Sequence, residues 1–110
     1  MLKSKVMDYE KGVRLTKALM IAVENRNLHL ARQLINAGAE LDVIDRLGSS
    51  ALMYAAKNGD IAMVSMLLDE GADTTLANGC NETALVLAVE GKHESVAAVL
   101  IDYEQTRKEA

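Results

Sequence analysis

One cysteine, two histidines and a surplus of carboxylates are the side chains of this 110-residue chain that could carry chemistry, and their spacing argues against each reaction in turn. Covalent catalysis needs a nucleophile, a base and an orienting group brought together. Cys80 could be the nucleophile, but His29 and His93 stand far from each other in sequence and fall on segments that lead away from it. A zinc site would need more nitrogen and sulfur ligands than three such residues supply. No cation sits next to Cys80 to lower its pKa, so an ordinary exposed thiol is preferred to a redox-reactive one. Asp45 and Asp60 stand where a turn and a helix cap are expected, which is structural work rather than acid–base work. Gly79 and Gly91 are not part of a Gly-x-x-x-x-Gly-Lys phosphate loop. His29, between Leu28 and Leu30, reads as a helix-surface residue, with a pH-sensitive contact as the sharper alternative. No catalytic residue, cofactor or metal is therefore expected, and the chain is read as no enzyme.

What the chain does have is a period. Lys17-Ala18-Leu19-Met20, Ser50-Ala51-Leu52-Met53 and Thr83-Ala84-Leu85-Val86 recur at intervals of 33 residues. Laid over one another at that spacing, the first two copies also share Asn25 with Asn58, Leu34 with Leu67, Gly38 with Gly71 and Ala39 with Ala72. A fixed interval of this length marks a stack of supersecondary units, each burying its apolar face on its neighbours. The chain then divides into repeats over about 12–44, 45–77 and 78–110.

The middle copy shows how one unit is built. Asp45-Arg46-Leu47-Gly48 has Asp first and Gly fourth, the preference of a type I turn, and should form a projecting finger tip. Ser50 can cap the helix that follows, since its hydroxyl can accept from a free first-turn amide. Ala51 to Asn58 form that helix, with Leu52, Ala55 and Ala56 inward, and Gly59 ends it in a left-handed conformation. Asp60 caps a second helix with the apolar set Ile61, Met63, Val64, Met66, Leu67 and Leu68, and Gly71 stops it. Helices of this length are not stable alone in water and need neighbours on both sides. The chain has no Phe or Trp, so the core falls to Ala, Leu, Val, Ile and Met.

Ser50, Ala51, Leu52, Met53, Tyr54 and Ala55, followed by Gly59, Val64, Leu67, Leu68 and Gly71-Ala72-Asp73, resemble the ankyrin repeat, whose signature phrase is Thr-Pro-Leu-His-x-Ala. The resemblance implies an all-α solenoid of stacked helix-turn-helix units with short finger-like turns over residues 15–103. Segment 1–14 precedes it as a possible capping helix, and residues 104–110 follow as a charged tail. Ala replaces the family's Pro at 18, 51 and 84. Met20, Met53 and Val86 replace its His, so the hydrogen bonds that brace the family's loops cannot form from those positions. Repeat one has Gly12-Val13-Arg14-Leu15 in place of a finger, and repeat three has Glu104 in place of the terminal Gly, as expected of end repeats that face water.

The resemblance also implies a function. Ankyrin-like stacks bind proteins through a concave surface made by the fingers and the exposed side of the first helices. Carried over by position, that surface here is Ile21, Glu24 and Asn25 in repeat one, and Arg46, Leu47, Ser49, Tyr54, Lys57 and Asn58 in repeat two. In repeat three it is Gly79, Cys80, Glu82, Leu87, Glu90 and Gly91. Tyr54 is expected as its central anchor, because Tyr is enriched among residues that dominate interface energy. The expected function is a non-catalytic adaptor or inhibitor that binds a protein or peptide. The alternatives are a targeting or regulatory domain of a larger protein, or a self-associating structural unit.

Charge narrows the partner. Lys3, Lys5, Lys11, Arg14 and Lys17 outweigh Asp8 and Glu10 over residues 1–17, a net charge of +3, whereas residues 18–102 carry −7. An acidic body without a basic stripe or interleaved aromatics disfavours nucleic acid and would steer a basic protein. No apolar run reaches membrane-spanning length and no signal-peptide core follows the first basic residues, so a cytoplasmic monomer without a membrane partner is expected.

Overall fold

A computed structural model describes the backbone from Leu2 to Glu109 and the side chains of residues 11–107. The described chain is helical throughout: α1 (Leu2–Glu24), α2 (Leu28–Asn36), α3 (Ala51–Asn58), α4 (Ile61–Asp69), α5 (Ala84–Glu90) and α6 (Glu94–Glu109). Helices α1, α3 and α5 stack in that order as an inner layer, and α2, α4 and α6 pack behind them as an outer one.

Where each inner helix begins depends on one hydroxyl. Ser50 Oγ accepts from the Met53 amide and Thr83 Oγ1 from the Val86 amide, each at 3.3 Å. In repeat one the matching residue is Lys17, which cannot accept, and the helix runs straight through it. Segment 1–14 and the first inner helix are thus one continuous rod from Leu2, without a break at Gly12. Thr16 fastens this rod to the loop after α2: its hydroxyl donates to the Gly12 carbonyl at 2.8 Å and accepts from the Glu40 amide at 3.2 Å.

The outer helices end by the same logic. Gly38 and Gly71 take φ of 111° and 93° after α2 and α4. Glu104 stands at the third such position, and α6 continues to Glu109, so the expected charged tail is helical over 104–109. Within it Arg107 donates to the Tyr103 hydroxyl at 2.9 Å and lies over the Tyr103 ring.

The inner helices turn back through a left-handed residue that is Gly only in the middle repeat. Arg26, Gly59 and Lys92 have φ of 60°, 69° and 61°. Asn27 and Asp60 then cap α2 and α4, accepting from the Leu30 and Met63 amides at 3.1 and 3.2 Å. His93, their counterpart in repeat three, serves as a brace instead. Its Nε2 lies 2.9 Å from the Lys57 carbonyl, and its ring fills the space that a Cβ on Gly59 or Gly91 would enter. Between repeats one and two the braces are the Arg26 guanidinium on the Asn58 carbonyl and Asn58 Nδ2 on the Glu24 carbonyl.

The core lies between the layers. Leu19, Leu52, Ala55, Met63, Leu67 and Leu100 are at most 2 % exposed. Ile61 departs from the expected apolar set at 43 % exposure. It opens α4 at a position where repeat three carries Glu94, which marks a solvent-facing site that the apolar sequence around Ile61 conceals.

Candidate functional site: the concave face

Two fingers line one edge of the inner layer, each organised by one side chain. Asp45 Oδ1 accepts from the amides of Leu47 and Ser49, each at 2.9 Å, while the Gly48 amide closes the turn on the Asp45 carbonyl at 3.0 Å. Asn78 repeats the device one period later, accepting from the Cys80 and Glu82 amides at 2.9 Å. The fingers are joined by the Gly79 amide donating to the Leu47 carbonyl at 2.9 Å. This places Arg46, Leu47, Gly79 and Cys80 exposed at the finger tips, with Leu47 at 70 %.

Tyr54 does something the sequence did not foretell. It is half-buried, and its hydroxyl donates to Asp45 Oδ2. The brace that Met53, buried in the core, cannot make is therefore supplied by the next residue along. The bond to Asp45, with burial and the nearby Asp45 and Glu24 charges, pushes the Tyr54 hydroxyl up to about 12. Burial alone would raise the Asp45 carboxyl, but the bonds from Tyr54 and from the finger amides outweigh it and hold it below the usual range. The carboxylate is thus fixed as an acceptor for the finger.

The other expected surface residues divide by exposure. Ile21 is 58 % exposed on α1, and Glu24, Asn25, Lys57, Glu90 and Gly91 are open to solvent. Asn58, Glu82 and Leu87 are half-buried. Ser49 is buried at 8 %, because its backbone is folded into the turn on Asp45. On repeat three the Glu82 and Glu90 carboxyls share a hydrogen bond, which raises Glu90 and lowers Glu82.

The face has a concavity in repeat one. A groove of about 720 Å³ runs between α1 and the first finger, walled by Val13, Met20 and Ile21 on one side and by Val43 and Ile44 on the other. Lys17, Glu24, Glu40 and Arg46 stand at its margin. It exists because the rod α1 lies beside the first finger where an inner repeat would have another finger. Sequence reasoning found Ile21, Glu24 and Arg46 but not Val13, Val43 and Ile44. Val43 and Ile44 are not shared with the next repeat, and Val13 aligns with a finger position rather than a helix. The signal available was two consecutive β-branched residues just before the finger.

Among the described residues no cluster of His, Cys, Asp and Glu is placed to hold a metal ion, and no buried side-chain nitrogen or oxygen lacks a hydrogen-bond partner. Nor is any described helix long and apolar enough to cross a membrane. The arrangement offers shape, apolar surface and charge.

Residues 10–109 match the sequence model of the family described as Ankyrin repeats, in three copies. The chain belongs to the ankyrin-repeat family, whose repeats are in general protein–protein interaction modules. A search among curated proteins gave no match.

Proposed function

We propose that this ankyrin-repeat stack is a non-catalytic binding module that takes a segment of a protein or a peptide into the concave groove of repeat one, as a small cytoplasmic adaptor or inhibitor. The observation that carries the reading is the groove itself. Val13, Ile21, Val43 and Ile44 are 39, 58, 38 and 52 % exposed and converge on one concavity, at an energetic cost that an isolated monomer has no reason to bear. Its volume is in the range of sites that engulf a few side chains of a ligand. Leu47 on the adjoining finger extends the apolar surface along the face.

The bound segment is one with aliphatic side chains and a basic flank. Glu24 and Glu40 stand at the groove with Lys17 and Arg46, and Glu82 and Glu90 lie further along the same face, where they would attract an incoming Lys or Arg. Such charges act mainly on association rate and on choice of partner. A lone exposed thiol, Cys80, accords with a reducing compartment.

A library of displayed peptides selected on the intact protein tests this. Ligands selected on the wild type should be weakened at least about tenfold, or 1.4 kcal/mol, by Ile21→Glu with Ile44→Glu. His29→Ala with Arg32→Ala on the outer layer should leave them unaffected. Both changes in the groove are at exposed positions and should preserve the circular dichroism spectrum. Binding that survives the groove variant and is lost in the outer-layer variant would place the site on the opposite side.

A further inference from the structure

The two ends of the stack are matched halves of an interface that the chain already contains. Exposure followed along the 33-residue register shows which positions face forward and which face back. Met53, Ala56 and Leu68 of repeat two are 1, 0 and 5 % exposed, whereas their counterparts in repeat three, Val86, Val89 and Ile101, are 40, 59 and 44 % exposed. In repeat one, which a repeat follows, Val23 is buried and Met20 and Ile35 are half-buried; the three positions become exposed together only in the last repeat, and they are the forward face. Met63 and Val96 are 0 and 1 % exposed, but Leu30, the same position in repeat one, is 39 %. Leu67 and Leu100 are fully buried, and Leu34, their counterpart, is only half-buried. These positions open only where no repeat precedes, and they are the backward face.

End repeats of a solenoid ordinarily carry a polar outer face, which keeps them soluble. Here both ends keep the aliphatic residues of an internal junction. We propose that the occupant of each end face is the opposite end of a second copy of this chain, so that copies stack head to tail and continue the solenoid across the chain boundary. Val86, Val89 and Ile101 of one copy face the end of the next that carries Leu30 and Leu34, as α3 packs on α5 and α4 on α6 within one chain.

Charge supports the same polarity. The rod α1 lies beside the first finger, on the side from which a preceding finger would approach, and it carries exposed Lys11 and Lys17. The finger that a preceding copy would bring there is 78–82, with Glu82 and, just behind it, Glu90. Like ends brought together would instead set basic rod against basic rod or carboxyl pair against carboxyl pair. One internal bond cannot be repeated. Gly79 donates to the Leu47 carbonyl between fingers, but the residue at the Gly79 register in repeat one is Val13, which lies within α1, where amides serve the helix. The contact between copies is therefore weaker than the junctions inside the chain and reversible. Its apolar residues lie outside the concave groove, whose margin it meets at Lys17. It also revises the monomer expected from sequence, because a heterologous contact that does not close generates an open series of assemblies.

Sedimentation velocity on the intact protein, from about 10 μM to about 1 mM, where weak contacts report, tests the proposal with two variants. The wild type should show a mean mass that climbs with concentration past the dimer without a plateau, and climbs less in high salt. Val89→Arg blocks the forward face and Leu30→Arg the backward face, so each alone should stay at the monomer mass of 11.9 kDa. Mixed in equal amounts, each variant retains the half that the other needs, and the mixture should form a one-to-one dimer and stop there. Thermal melting checks that each variant is folded, and Leu30→Gln replaces Leu30→Arg if the latter melts early. A wild type that remains monomeric throughout overturns the proposal. So does a mixture that stays monomeric where the wild type associates, or a plateau at dimer lost in Val89→Arg but kept in Leu30→Arg, which would mean that forward faces pair with each other.

Discussion

Tyr54 carries a structural duty that its residue type does not announce. An aromatic at the centre of a concave face reads as a binding anchor, yet its hydroxyl is committed to Asp45 and its ring is half-buried. The sequence contained one hint: the neighbouring residue, where the family places a loop-bracing His, is Met53, so the finger lacked its usual brace. Tyr54→Phe keeps the ring and removes the bond, and should lower stability by about 1.5 to 3 kcal/mol, the range for a hydrogen bond to a charged acceptor. Denaturant unfolding measures it, and a variant as stable as the wild type would mean that the bond contributes nothing. The pH dependence has a definite sign. Tyr54 keeps its proton to about 12 in the fold against 10.0 ordinarily, so its contribution is complete below pH 10 and is lost as pH rises through that window. Asp45 is lowered, so its contribution is present above its ordinary 3.8 and is lost as pH falls through the folded value. Asp45→Asn should return the Tyr54 titration, followed by NMR of labelled tyrosine, toward 10.

At the scale of helices, the caps and stops were legible because each rests on one residue type at one place. Ser50 and Asp60 could be read as caps, Gly59 and Gly71 as stops, and Asp45 as the organiser of a turn. Helix lengths at the two ends were less legible. Lys17 in place of a capping hydroxyl and Glu104 in place of Gly both remove a boundary, and the helices run on to Leu2 and Glu109. The absence of a stop signal is harder to read than its presence, because nothing marks how far a helix then extends. The inner-helix turns carry a cost that is visible only in the backbone. Lys92 adopts the left-handed conformation that Gly59 adopts in the middle repeat. For a residue with a Cβ this costs about 1–2 kcal/mol, partly offset because Gly gains about 0.4–1 kcal/mol of freedom in the unfolded chain. Lys92→Gly should therefore raise stability by about 1 kcal/mol. Gly59→Ala should lower it by more, since the added Cβ also runs into the His93 ring. Melting of the two variants checks the pair, and a Lys92→Gly protein that melts below the wild type would mean that the left-handed turn at Lys92 carries no strain.

For the molecule as a whole, the period pointed to the stack, and the resemblance to the ankyrin repeat implied its layers and fingers. Neither could reveal the groove, which exists because a rod takes the place of a finger at one end and because Val43 and Ile44 are not shared with the next repeat. Function turns on whether this concavity, rather than the outer layer, is where a partner segment lies. The most direct measurement is a two-dimensional amide NMR spectrum of the labelled protein titrated with a peptide selected on the wild type. A segment seated in the groove should produce the largest shifts at Val13, Ile21, Val43, Ile44 and Leu47, with α2 and α4 nearly unchanged. Shifts confined to α2 and α4, with those five amides unmoved at saturation, would contradict it.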